Sequence, residues 1–253
     1  MINFCGGSEW RRWDLHIHSP ESHLCNNFNC NFDEYVKNLF NKALEKDIYA
    51  IGITDYFTIE GYKKIKTEYL QNDAKLKELF DEDEEKVNSV KNILLIPNIE
   101  FRLNKLVGTS RINFHVLFSN DVSIKDIEEN FLHEINFVYE GNPQDTDESR
   151  KLTIYNIKKL GEKLKSEHAG FIDSEIVIGM KNAVVDDSEI VRILKNKKSI
   201  FEGKYLLCVP SDEDLSEISW NGQDHQTRKV IIQKSDLLYA SNPKTIKWGL
   251  GSY

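Results

Sequence analysis

The chain has 253 residues, 40% of them apolar, enough to bury a sizeable core in one large α/β domain or two small ones. Its 33 basic and 41 acidic residues give a formal charge of −8, which argues against attachment to nucleic acid through the whole surface but leaves room for a local basic groove. Glycine and proline are too sparse for a fibrous or mainly disordered chain, and no apolar run approaches the roughly 20 residues needed to span a bilayer.

The cysteines, Cys5, Cys25, Cys30 and Cys208, form no close pair and follow no secretory leader. They read as reduced thiols in a cytoplasmic protein. Trp248 to Tyr253 look like a chain interrupted rather than capped, as in the amino-terminal piece of a longer protein; a complete small protein is the alternative.

Trp13 to His18, Trp-Asp-Leu-His-Ile-His, reads as a strand. Side chains two apart on a strand share a face, so His16 and His18 can converge on one metal ion, with Asp14 expected on the same side. Two part-buried histidines bonded to backbone are the plainer alternative. Phe32, Tyr35, Val36, Leu39, Phe40, Ala43 and Leu44 then recur at helical spacing. Ile48 to Thr54 suits a buried parallel strand, and Asp55 and Tyr56 at its exit stand where carboxylates of α/β sites commonly lie. Asp55 is either a site residue or a cap.

Ile59 to about Phe80 is expected to be helical, and the acidic run Asp81 to Glu85 a solvated helix end or loop. A strand from Ile93 passes through Pro97 to Glu100 and Arg102, with an irregularity near the carboxylate. Ile112 to Phe118 alternates, which puts His115 with Asn113 on the less apolar face.

A helix is expected over Ile124 to Tyr139, with Glu129 and His133 as a surface pair, then a polar loop over Glu140 to Arg150 and another helix over Leu152 to Lys165, followed by His168. Asp186 to Leu194 reads as a short helix and Tyr205 to Val209 as a buried strand, with Ser211 able to cap the acidic turn after it. Trp220 to His225 reads as a turn, and Lys229 to Gln233 as the last strand with Asp236 just beyond it. Strands alternating with helical patterns favour a parallel barrel or layered α/β sheet.

Asp-Leu-His-Ile-His at 14–18, Ile-Thr-Asp-Tyr at 53–56, Asn-Ile-Glu-Phe at 98–101, Asn-Phe-His-Val at 113–116 and Lys-Ser-Asp at 234–236 together resemble the PHP domain, the polymerase and histidinol phosphatase superfamily. More narrowly, residues 7–18 and 220–226 resemble the amino-terminal module of TrlF-type AAA-like or ABC-like ATPases of bacterial defence. The resemblance implies a single domain over 1–253 with a distorted (β/α)7 barrel, whose metal site lies at the carboxyl ends of the strands. It implies hydrolysis of phosphate esters, in nucleic acid if the protein is a nuclease of anti-phage defence, with an ATPase domain or subunit as a partner.

By the same resemblance His16, His18, Glu100, His115, His168 and Asp236 would hold one to three divalent ions, manganese or zinc before iron or magnesium. Asp55, Glu100 and His225 are the candidate catalytic groups. Tyr56 stands where the family carries a histidine, and Leu237 and Leu238 follow Asp236 where another is common. Arg102 and Arg111 are candidate phosphate clamps or ordinary surface ion pairs. A phosphomonoesterase and a structural or regulatory module that has lost catalysis are the alternative functions. No Gly-x-x-x-x-Gly-Lys-Ser/Thr loop is present, which excludes P-loop ATP hydrolysis in this chain.

Overall fold

In the computed structural model, which describes residues 10–138, 147–211, 221–240 and 242–249, the opening run forms strand β1 (Arg12–His18). The fold is mixed α/β and divides into two units at Asn98.

In the first unit, α1 (Phe32–Glu45) connects β1 to β2 (Ile48–Tyr56), and the two strands pair in parallel. Asn31 caps α1 by accepting from the Glu34 N–H at 2.9 Å, and Asp33 and Glu34 complement the positive end of the helix. Its buried stripe, Tyr35, Val36, Phe40 and Ala43, follows the helical period. From Ala50 to Tyr56 every β2 residue is buried, as a covered parallel strand requires.

Beyond β2 the expected single helix over Ile59 to Phe80 is three pieces. They are α2 (Glu60–Lys64), a π-helical turn (Ile65–Leu70) and α3 (Asp73–Leu79). The wider turn buries Ile65 and Tyr69, and Asn72 restarts the chain by accepting from the Lys75 N–H at 3.1 Å. Asp83 caps α4 (Glu84–Lys91) in the same way, which gives the acidic run a structural use. Strand β3 (Leu94–Val107) follows; its first residues, through Asn98, belong to this unit.

In the second unit the rest of β3 turns at Gly108, φ +60°, into β4 (Ser110–Phe118). Then come α5 (Ile124–Asn130), a 3₁₀ turn (Leu132–Glu134) and β5 (Phe137–Val138). The helix expected to reach Tyr139 thus ends at Asn130. Phe131 leaves helical geometry to pack edge-on against Phe101 and Phe118, with ring centroids 5.9 and 5.0 Å away, and burial of that ring overrides local propensity. The helices α6 (Ile154–Glu167) and α7 (Glu175–Asn182) pack through two glycines; a Cβ on Gly161 would lie 1.7 Å from the Glu175 carbonyl oxygen.

The chain continues through β6 (Val184–Val185), α8 (Asp187–Asn196), α9 (Lys198–Phe201), β7 (Tyr205–Pro210), α10 (Gln223–Lys234), β8 (Leu237–Tyr239) and α11 (Pro243–Gly249). Strand directions are mixed. β7 runs antiparallel to β4 and parallel to β8, while β6 is antiparallel to β5 and parallel to β3, so this unit is not a uniformly parallel β/α repeat. Lys229 to Gln233, expected as the last strand, lies inside α10, and the last strand is Leu237–Tyr239. The turn expected at Trp220 to His225 is instead largely the start of that helix, with Gly222 at its cap; Trp220 itself lies outside the described residues. Among the described residues, no helix is long and apolar enough to cross a membrane.

Candidate metal centre

The first unit positions two histidines through a fault in strand pairing. Trp13 and Asp14 lie opposite Ala50 and Ile51, whereas Ile17 and His18 lie opposite Ile53 and Thr54, so β1 carries one extra residue at Leu15–His16. Such a bulge re-aims side chains locally. Gly52 makes it feasible, since a Cβ there would stand 2.2 Å from the Leu15 carbonyl oxygen. That carbonyl accepts a hydrogen bond from the Asn98 side chain at 2.8 Å, and the same amide nitrogen donates to Thr54 Oγ1 at 2.8 Å.

The rings of His16 and His18 lie 5.2 Å apart, His16 exposed and His18 half-buried. Tyr56 stacks on His18 at 5.5 Å, and the Tyr35 hydroxyl donates to the His18 carbonyl at 2.9 Å. Asp14, expected beside the histidines, instead lines a cavity of about 310 Å³ with Ile17 and Tyr35. The extra residue of the bulge breaks the alternation that would have placed it with His16.

Asp55 is fully buried and both of its oxygens are engaged. Oδ1 accepts from the Ser19 hydroxyl at 2.8 Å and the Ser19 N–H at 3.3 Å, and Oδ2 accepts from the Gly61 N–H at 2.9 Å. Burial pushes its pKa up to about 6, against the pull of these three donors. The geometry makes Asp55 a clamp between the loop after β1 and the first turn of α2.

In the second unit Glu100 on β3 and His115 on β4 are both buried, with His115 Nε2 3.8 Å from Glu100 Oε1. Asn113 donates to Glu100 Oε1 at 2.7 Å and so fixes the carboxylate. Tyr239 meets the His115 ring edge-on at 5.0 Å, and Cys208 lies opposite His115 in the β4–β7 pairing. Burial raises the Cys208 thiol pKa to about 12. A carboxyl group this deeply buried is either protonated or balanced by a positive charge, from a protonated imidazole or from a cation. One imidazole nitrogen beside one carboxylate fits a divalent ion.

The remaining candidates lie elsewhere. His168 is exposed at the end of α6, its ring 5.9 Å from Phe171. His225 sits half-buried in the first turn of α10. Asp236 Oδ2 accepts from the Leu207 N–H at 2.9 Å, and the Asp236 N–H donates to the Leu207 carbonyl at 2.7 Å, which seats β8 against β7. None of these three joins a group of three or more potential metal ligands among the described residues. Arg102 donates to the Lys181 carbonyl at 2.9 Å, and Arg111 is exposed. Ser211 donates through both its N–H and its hydroxyl to the Tyr239 carbonyl, each at 2.9 Å, while the acidic turn it was expected to cap lies outside the described residues.

The supporting residues Gly52, Asn98, Ser19 and Asn113 carried little signal. Asn98 and Asn113 were accessible to reasoning from spacing, because each precedes a candidate ligand, Glu100 or His115, by two residues on one strand.

No family model and no curated protein matches the chain. Among solved structures it is similar to a provisionally assigned metal-dependent phosphoesterase from Bifidobacterium adolescentis, with 13% sequence identity over 96% of this chain and 82% of that one, and a TM-score of 0.42.

Proposed function

We propose that the chain is a metal-dependent phosphoester hydrolase of PHP type, acting on phosphodiesters in nucleic acid. The observation that carries this reading is the buried Glu100–His115 pair, 3.8 Å apart and braced by Asn113. By the PHP resemblance His16 is the proposed third ligand, which would make two imidazole nitrogens and a carboxylate oxygen, a donor set suited to manganese or zinc. In support, Asn98 grips the carbonyl of Leu15, the residue before His16, and Glu100 follows Asn98 by two positions along β3.

A divalent ion held there would supply Lewis acidity toward a phosphoryl oxygen and make water more acidic. The chain's own residues would do the positioning. Glu100 brings the negative charge that holds a cation, and Asn113 keeps its carboxylate oriented. His16 is exposed to solvent, and His18 stands beside it under the ring of Tyr56. That ring, in the place of a family histidine, favours one or two ions over three.

The PHP resemblance extends the proposal to a distorted (β/α)7 barrel, to a single domain over 1–253 and, through its narrower likeness, to a defence nuclease working with an ATPase domain or subunit. The test is hydrolysis of single-stranded DNA, RNA and a chromogenic phosphomonoester by metal-depleted protein, before and after addition of manganese or zinc. Metal-dependent strand cleavage, abolished in Glu100→Gln with the fold retained, is expected. Cleavage of the monoester alone would favour a phosphomonoesterase, and no turnover with metal bound would favour a regulatory module.

A further inference from the structure

A second site is built entirely within the second unit and uses neither Glu100 nor His115. An open cleft of about 770 Å³ runs between α8, α9 and the start of β7, within the range of small-molecule sites. Its floor is apolar, from Leu194 and Leu207, with Tyr205 beside them. Three lysines, Lys195, Lys198 and Lys234, share the cleft with two carboxylates, Glu202 and Asp236.

The lysines differ in how they are held. Lys234 is anchored by Asp187, whose side chain is completely buried and accepts from Lys234 Nζ at 2.5 Å and also from Lys105. Two cations on one anion leave that trio with net positive charge. Lys195 and Lys198 are exposed and form no ion pair among the described residues. The carboxylates are complementary: Asp236 uses one oxygen to hold the Leu207 N–H, and its other oxygen accepts no hydrogen bond among the described residues. Burial and the neighbouring Asp236 and Glu202 charges raise the Tyr205 pKa, so its phenol stays neutral and able to donate.

A matching ligand needs an anionic end for the lysines, a flat body for the apolar floor, and N–H donors for the carboxylates. Inorganic phosphate lacks the last two, and a nucleoside without phosphate lacks the first. We propose that this cleft binds a nucleoside monophosphate, with guanine the best-matched base because its N1–H and amino group present two adjacent donors to one carboxylate.

The experiment is equilibrium titration of the full chain with GMP, UMP, guanosine and inorganic phosphate, in excess chelator so that no divalent ion contributes. The expected result is one GMP bound per chain, with UMP, guanosine and phosphate each at least tenfold weaker. Lys195→Glu combined with Lys198→Glu, both at exposed positions, should weaken GMP at least tenfold while the circular dichroism spectrum and Tm stay unchanged. The proposal is overturned if GMP fails to bind at millimolar concentration, if phosphate or UMP binds as well as GMP, or if the double variant binds GMP normally. Because the titration is free of metal, its failure leaves the hydrolase reading standing, and failure of that reading leaves the cleft standing.

Discussion

Asn98 donates a 2.8 Å hydrogen bond to the main-chain carbonyl of Leu15, the residue displaced by the bulge in β1. The carbonyl lies directly over Gly52, and the three residues form one device for holding the strand around His16 in a non-standard register. Gly52→Ala would drive a Cβ to 2.2 Å from a backbone oxygen that has no flexible side chain to yield. We expect a loss of about 2–3 kcal/mol in denaturant unfolding, at the upper end of overpacking effects. Asn98→Ala, which removes the hydrogen bonds to the Leu15 carbonyl and to Thr54 Oγ1, should cost about 1–3 kcal/mol. Unchanged stability in both variants would mean that the bulge is not held in this way.

Asp55 supplies a pH signature with a definite sign. Its folded-state pKa is about 6, above the ordinary carboxylate value, so between about pH 4 and pH 6 the folded state holds a proton that the unfolded chain has released. This residue's contribution is therefore fully present below about pH 4 and is lost as pH rises through 6. The change is about 3 kcal/mol for a two-unit difference. Asp55→Asn removes the titration, so the variant should gain stability relative to the parent as pH goes from 4 to 7. Urea unfolding of the two proteins at both pH values measures this, and a constant or reversed difference would contradict it.

Asp236 separates two roles by one atom. As the acceptor for the Leu207 N–H it can be replaced by asparagine, whose carbonyl accepts the same bond, whereas alanine cannot replace it. Asp236→Asn should stay within about 0.5 kcal/mol of the parent, and Asp236→Ala should lose about 1 kcal/mol. Retention of manganese or zinc by Asp236→Asn would assign the residue to strand seating, and loss of the ion with the fold intact would restore it as a ligand.

Much of the first unit was legible because its elements satisfy several rules at once. Phe32–Glu45 has a helical apolar stripe and an asparagine cap, and β2 is a β-branched run bounded by Asp47 and the turn after Tyr56. Lys229 to Gln233 misled because Val230, Ile231 and Ile232 suit a strand, yet only Ile231 is buried and the segment continues a helix begun at Gln223. The bulge at Leu15–His16 left no trace in β1 itself, since its cause lies across the sheet at Gly52 and on β3 at Asn98. For the candidate site, the strand pattern placed Asn113 and His115 on one face, and that face is buried beside Glu100. The burial itself was not legible, because it depends on residues distant in sequence, among them Tyr239, whose ring packs edge-on against His115.

In the proposed function, Glu100 and His115 serve a divalent ion rather than each other. Metal content after dialysis against manganese or zinc, followed by calorimetric titration, tests it in the parent and in Glu100→Gln, which keeps an acceptor for Asn113 while removing the charge. We expect at least one ion per parent chain, a loss of affinity of a hundredfold or more in Glu100→Gln and His16→Ala, and native circular dichroism spectra in all three proteins. A parent chain that stays free of metal at saturating manganese and zinc would overturn this reading, and would leave Glu100–His115 as a buried carboxyl–imidazole contact.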